Sequence, residues 1–337
     1  MRVIDMIKEE PASDGNASRS ATGCLTFQAF QCAYIVVSLR KLLCFACLAS
    51  GFHAAQGQDT RADTAARTTA ALARTQAATE VVAQADAELG TLEAIPPRPS
   101  LLGAYLIGNA SLYYTSNPSL SNDGGRGDMY FVGGGGAGIR PNVIGGLYLD
   151  GHVSDQVFQY ATFSSLNFNY FNAGGGLDYV FENFGQLTAS IRYEYQRYLD
   201  GDTLDEFYVN NALTLGLYKS FQINDAMWIQ TGWLGSLSLD AQPSSARRHE
   251  YDFWVGWRWR ILTPLELQTY YILSLFHYPQ DSRFDVTHNV GAALNLSLTR
   301  WARLSAGANF GANNSTESFF DYTVVNVGGT FSLDFRF

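Results

Sequence analysis

The chain has 337 residues, a formal net charge of −9, 47% hydrophobic residues and only 16% charged ones. Phosphate binding needs clustered Lys and Arg, and no such cluster occurs, so nucleic acid is excluded as a partner. From Leu101 onward no apolar run approaches the roughly 20 residues that a membrane helix needs, which excludes a helical membrane protein.

The first segment, 1–57, reads as a signal-peptide region. Arg40-Lys41, the apolar run Leu42 to Phe52 and the stretch His53-Ala54-Ala55-Gln56-Gly57 supply a basic start, an apolar core and a small-residue end. Cleavage is expected near Gly57. The residues ahead of Arg40 are unusual for a signal, and a start codon at Val36 or Val37 would account for them. A lipoprotein reading through Cys47 fits less well, since Cys44 and Phe45 suit the preceding positions poorly. All four cysteines, Cys24, Cys32, Cys44 and Cys47, fall in this segment, so disulfide and Cys-metal chemistry are not expected beyond it.

Segment 58–100 follows. Gln58 to Glu93 is rich in Ala and Thr, with Ala70-Ala71-Leu72-Ala73 and Val81-Val82-Ala83 as its apolar clusters. Ala favours helix and Thr opposes it, so a periplasmic tail with transient helix is expected. Ile95-Pro96-Pro97-Arg98-Pro99 forces a stiff, extended connector and marks a domain boundary.

The third segment, 101–337, alternates apolar and polar residues in runs long enough for tilted strands crossing a bilayer. The last run shows it best. Phe337, Phe335, Leu333, Phe331, Val327 and Val325 share one face, while Arg336, Asp334, Ser332, Thr330 and Asn326 share the other. Val290, Leu294 and Leu298 against Asn289, Gly291 and Asn295 repeat the pattern, as do Phe253, Val255, Trp257 and Trp259 against Asp252, Trp254, Arg258 and Arg260. Short turns are expected at Arg140-Pro141-Asn142, Glu182-Asn183-Phe184-Gly185, Ile223-Asn224-Asp225, Leu262-Thr263-Pro264 and Thr299-Arg300-Trp301. Longer polar loops are expected at Thr115 to Asp128, Ser154 to Ser165, Leu199 to Phe207, Asp240 to Glu250, His277 to Arg283 and Asn313 to Asp321.

Strict alternation of short and long connections indicates an all-β fold, a transmembrane antiparallel up-and-down β-barrel of about 12 strands with both ends periplasmic. Aromatics near the short turns (Phe181, Phe184, Phe221, Trp301, Phe335) and near the long loops (Tyr114, Tyr195, Tyr251, Phe284, Tyr322) read as two interfacial girdles. Across Leu262-Thr263-Pro264, pairing of Ile261 with Leu265 would set Arg260 opposite Glu266 and Arg258 opposite Gln268, all inward, with Trp259 facing Leu267 outward.

Phe337, with Phe335, Leu333 and Phe331 at alternate positions before it, resembles the C-terminal strand of outer-membrane proteins. The region 101–337 looks like the broad class of β-barrel porins from Gram-negative bacteria. The resemblance implies insertion into outer-membrane lipid by the barrel-assembly machinery, with those four residues as the assembly signal, and passage of small hydrophilic solutes. It transfers no catalytic residues.

The glycine runs Gly133 to Gly136, Gly145-Gly146 and Gly174 to Gly176 lack the helix and lysine of a phosphate loop and are expected to seat large neighbours in the wall, with Gly134 opposite Tyr148. His152, Ser154 and Asn167 resemble the His-x-Ser and downstream Asn of the outer-membrane phospholipase, but acidic calcium-binding residues are missing and His152 shares the inward parity of Tyr148. A water-satisfied His and Ser at a loop edge is the simpler expectation. No catalytic residue, metal ligand or cofactor is assigned, since His249, His277 and His288 are dispersed.

The inward face holds Arg192, Glu194, Asp252, Arg258, Arg260, Glu266, Asp334 and Arg336, mixed with Gln230, Gln268, Asn289, Asn295 and the aromatics Tyr148, Tyr218, Trp228, Trp254 and Tyr270. Charge facing lipid at mid-depth costs about 2–4 kcal/mol for Arg, so these groups must face a wet or well-paired interior. Such an interior either braces a filled barrel or lines a pore. The expected function is passive diffusion of small hydrophilic solutes with mild ion preference set by lumen charges, Arg192 and Arg258 among them. A non-conducting structural or surface-binding barrel and a phospholipase-like hydrolase are the alternatives.

Overall fold

The computed structural model describes residues 103–123 and 125–337. The signal region 1–57 and the tail 58–100 lie outside the described residues. Thirteen strands follow in order: β1 (Ala104–Thr115), β2 (Asp128–Ile139), β3 (Asn142–Ile144), β4 (Leu147–Tyr160), β5 (Phe168–Phe181), β6 (Leu187–Asp200), β7 (Glu206–Asn224), β8 (Met227–Gln242), β9 (His249–Leu262), β10 (Leu265–Tyr278), β11 (Arg283–Ser297), β12 (Ala302–Ser315) and β13 (Tyr322–Arg336). Each long strand pairs antiparallel with its sequence neighbours, and β1 closes the ring against β13 from Tyr105↔Arg336 to Thr115↔Asn326. With β3 a three-residue continuation of β2, this is a closed barrel of twelve strands. Closure leaves no sheet edge, which is the condition for a sheet to stand in lipid.

Period two sorts every strand. On β9, Phe253 and Val255 are exposed on the outer wall while Asp252, between β8 and β10, is fully buried. On β13, Val325, Val327 and Phe331 are exposed outside and Thr330 accepts or donates inside to the Tyr113 hydroxyl at 2.7 Å. An exterior of this apolarity, repeated from Leu106 and Leu112 on β1 to Leu304 and Phe310 on β12, is stable only against hydrocarbon. Among the described residues no helix is long and apolar enough to cross a membrane. The strands cross instead.

The expected register across Thr263-Pro264 holds from Glu266↔Arg260 through Leu267↔Trp259 to Gln268↔Arg258. At the turn itself Leu265 meets Leu262 rather than Ile261, because the register shifts by one residue between Leu265 and Glu266. The first turn also differs from expectation. Arg140 and Pro141 join β2 to β3, which starts at Asn142, and the chain reverses only at Gly145-Gly146, where Gly145 adopts φ +53°. Pro141 lacks an N–H yet its carbonyl still accepts from the Leu149 N–H (3.1 Å), so the ladder passes through it. Gly134 therefore pairs with Gln156, and Tyr148 with Asn142 and Asp178.

The polar loops are shorter than expected, because strands continue into them. β4 runs to Tyr160, β6 to Asp200 and β8 to Gln242. About 9–11 tilted residues cross the hydrocarbon, so strands of 14 residues or more extend a paired wall beyond it. There both faces meet water, alternation fades, and polarity alone looks like loop. Trp301 stacks on Phe335 (5.5 Å) and Phe184 is exposed beside Phe181 at the turn end. Tyr322 departs from the girdle expected at the loop end: it is buried and points inward.

Candidate functional site

The interior divides into two unlike sides. On the first, β2 and β4 to β7 carry large inward groups. Near the loop end Tyr130, Phe158, Phe168, Tyr170, Tyr198 and Tyr208 form one buried cluster, with Phe158 stacked on Phe168 at 4.2 Å and Tyr170 against Tyr198 at 4.7 Å. Toward the turn end, a fully buried Asp178 accepts from Arg140 Nε (2.9 Å) and from Arg192 Nη2 (2.9 and 3.0 Å). Arg192 Nε also lies 3.6 Å from Asp150, and Arg140 sits over the Tyr148 ring at 4.8 Å.

His152 belongs to this network. Its Nδ1 is 3.1 Å from Asp150 Oδ1, and its Nε2 is 2.9 Å from Asn172 Oδ1 and 3.1 Å from Glu194 Oε2. Both ring nitrogens face acceptors, so neither offers a lone pair to Ser154. Asn167 lies elsewhere, its Oδ1 accepting from the Tyr160 N–H at 2.7 Å. The hydrolase trio is not assembled, and His152 is a strand residue bonded to protein groups rather than a loop-edge residue facing water.

A second charged cluster stands at the turn end of β8 to β10. Glu266 accepts from Arg258 Nε (2.9 Å) and Nη2 (2.5 Å), with Arg260 Nε at 3.8 Å. Both guanidiniums lie over the Trp228 ring, at 5.3 and 4.8 Å. Higher up, Asp252 accepts from the Ser274 hydroxyl. Trp254 lies flat over Gly232 on the neighbouring strand, where a Cβ would come within 2.6 Å of the indole. Tyr270 lies over Gly291 in the same manner. Glycines on inward rows thus seat large rings, as expected of them, though not in the Gly134–Tyr148 pair.

The other side, β11 to β13, carries short groups: Asn289, Ala293 and Asn295 on β11, Ser305, Gly307 and Asn309 on β12, Asn326, Thr330 and Ser332 on β13. A cavity of about 200 Å³ lies along this wall, and Tyr113, Tyr130, Tyr160 and Tyr270 add their rings to its lining. Tyr113, Tyr130 and Tyr160 are stacked in series at 5.5 and 5.2 Å. The lining on β13 extends from Tyr322 to Ser332. At about 3.3 Å per residue this is about 33 Å along the strand, or roughly 25 Å of height at a tilt near 40°, the thickness of the apolar band.

The segment between β1 and β2 bends over the loop end of this cavity. Asn117 and Leu120 are buried and contribute to its lining. Asn117 Nδ2 donates to the Ser121 carbonyl (2.8 Å) and to the Thr323 carbonyl (3.1 Å), and Asn122 Nδ2 donates to the Ser318 carbonyl (2.8 Å).

Of the inward residues read from the sequence, Asn289 and Asn295 line the cavity, as does Tyr270. Arg192, Glu194 and Tyr148 point inward on the filled side, Arg258, Arg260 and Glu266 in the second charged cluster, and Asp252 and Trp254 on β9 beside Ser274 and Gly232, none of them in the cavity lining. One lining charge was missed. Arg303, beside Ser305 on β12, opens onto the cavity. Its inward parity was available from Leu304, which is exposed outside. The strand is so rich in Ala, Gly, Ser and Asn on both faces that its alternation barely shows. Among the described residues no group of three His, Cys, Asp or Glu side chains is placed to hold a metal ion.

No family model matches the chain, and no curated protein does. Solved structures similar in outline include an outer membrane channel, COG4313, from Pseudomonas putida F1 (12% identity, 73% of this chain and 100% of that one, TM-score 0.49). Others are the beta domain of the Bordetella autotransporter BrkA (12%, 68% and 100%, 0.41) and the KdgM porin (10%, 67% and 98%, 0.35). On the strength of its own closed sheet and apolar exterior, the chain is a β-barrel of the outer-membrane kind.

Proposed function

We propose that the chain is a channel in the outer membrane of a Gram-negative bacterium through which small hydrophilic solutes diffuse passively, with no catalytic step. The observation that carries this reading is the cavity along β11 to β13 and β1, because its length matches the apolar band and hydroxyls and amides recur along its walls between small and aromatic residues. Such a lining replaces part of a solute's hydration without binding it tightly. In this reading 1–57 directs export, 58–100 stays on the periplasmic side with the turn end of the barrel, and the six loop-end connections face outward.

Phe331, Leu333 and Phe335 lie on the outward row of β13, and Phe337, just past its end, is 67% exposed. We assign them the assembly signal read by the barrel-assembly machinery. Phe337→Ser should lower the yield of heat-modifiable barrel in native membranes well below that of Arg336→Ser, and equal yields would remove this assignment.

Conductance tests the channel directly. Asn309, mid-height on β12 and bonded to Asn326 Nδ2 at 2.8 Å, faces the cavity, so Asn309→Trp should abolish most single-channel current while leaving a heat-modifiable barrel. A parent protein silent in planar bilayers, even with the Asn117 segment released, would instead favour a non-conducting structural barrel. That second reading draws on the aromatic filling and on Leu120 in the mouth.

A further inference from the structure

The charges inside the barrel are not spread evenly with respect to the cavity. On the filled side, Arg140 and Arg192 are held by Asp178 and Asp150, away from the cavity wall. Near the loop end, Arg283 is sandwiched between the Tyr278 and Phe320 rings at 3.5 and 3.8 Å, with Asp285 at 3.3 Å. At the turn end Arg336 is matched by Asp334 at 2.9 Å.

Arg303 differs. Among the described residues no carboxylate lies within ion-pair distance of it, and it is the charged side chain in the cavity lining. The charges acting on it are Glu266, Arg258, Asp334 and Arg336. Glu266 is already engaged by Arg258 and approached by Arg260. Four guanidiniums, Arg258, Arg260, Arg303 and Arg336, therefore face two carboxylates, Glu266 and Asp334, at the turn end, and the one in the cavity lining is the one left without a close partner. The remaining lining is neutral, and the carboxylates that act on Arg303, Glu266 and Asp334, are each engaged by another arginine, so a net positive field is left at the cavity wall. In a narrow, low-dielectric passage such a surplus raises the local concentration of anions and repels cations.

We propose that Arg303 is the specificity-determining residue of the passage and makes it prefer small anions, inorganic or carboxylate-bearing. This rests on the channel reading above. A planar guanidinium offers paired N–H donors to a carboxylate. Asn295 and Ser305, joined by a 2.7 Å hydrogen bond, stand beside it with Ser332 and form a polar patch around it on β11 to β13.

The test is the zero-current potential of full-length protein in a potassium chloride gradient, repeated with potassium gluconate. The parent should show the sign of anion preference in chloride. Arg303→Lys should keep that sign, Arg303→Gln should bring the potential close to zero, and Arg303→Glu should reverse it. The paired replacement Arg258→Met with Glu266→Gln removes one charge of each sign and should leave the sign unchanged. With gluconate the parent should still pass current, and Arg303→Gln should lose most of it. A conducting Arg303→Gln protein with the parent's potential overturns the assignment while leaving the channel intact. A parent that conducts no ion overturns the channel reading itself, and the two failures are thereby told apart.

Discussion

The two sides of this barrel share a backbone and an outer face yet differ in what they point inward. From β4 to β7 the inward rows carry Phe158, Tyr170, Tyr198 and the Arg140–Asp178–Arg192 bridge. From β11 to β13 they carry Ser, Thr, Asn and Gly. Lipid sees no difference, because Leu177 and Ile191 on one side and Leu294 and Leu304 on the other are alike in exposure. A twelve-stranded ring is intermediate between barrels that side chains fill and barrels that leave an aqueous lumen. Here the choice is made strand by strand, by side-chain size, with one side bracing the wall and the other left open.

The comparison breaks most readily on the filled side. Phe158 is almost completely buried and stacks on Phe168. Phe158→Ala should lower barrel stability by about 3–5 kcal/mol, measured by urea unfolding in detergent, whereas Ser305→Ala on the open side should lower it by about 1 kcal/mol. Equal losses would mean that the two sides brace the barrel alike.

Next in size is the buried bridge. Asp178→Asn removes the carboxylate shared by two guanidiniums and should destabilise by about 3 kcal/mol, with the single-channel current little changed, since Asp178 is not part of the cavity wall. A current that changes as strongly as the stability would extend the passage into the filled side.

The smallest expected effect concerns the mouth. Asn117→Ala removes the side-chain clamp on Ser121 and Thr323 and should reduce stability by only about 1–2 kcal/mol while raising open-channel current and its noise. An unchanged current would show that the segment from Ser116 to Gly127 does not constrict the entrance.

Much of this was legible in the sequence, and the failures share a physical cause. Alternation on β13 and β9 identified lipid and lumen faces because a bilayer punishes a single polar residue on the wrong face. The Arg260–Glu266 pairing followed from a tight turn that leaves little freedom of register. Beyond the bilayer that penalty disappears. β4 up to Tyr160 therefore looks like loop in the sequence, and Tyr322 at the start of β13 looks like part of an outer girdle, although the one is paired strand and the other is buried. Pro141 reads as a turn residue, yet the reversal falls four residues on, at Gly145, which is free to adopt positive φ. The cavity itself is written in the sizes of inward residues on three successive strands, and Arg303 among them was obscured by small residues on both faces.

The central claim is that solute passes along β11 to β13 and β1 and not through the aromatic and ion-paired side. Substituted-cysteine blockade tests it most directly. Asn326→Cys on the open side and Thr214→Cys on the inward face of β7 are each treated during single-channel recording with a charged thiol reagent, with the parent chain treated alongside to account for its native cysteines. Loss of current in Asn326→Cys with an undisturbed current in Thr214→Cys is the expected result. Blockade of Thr214→Cys with Asn326→Cys unaffected would place the passage on the other side of the barrel and contradict the account.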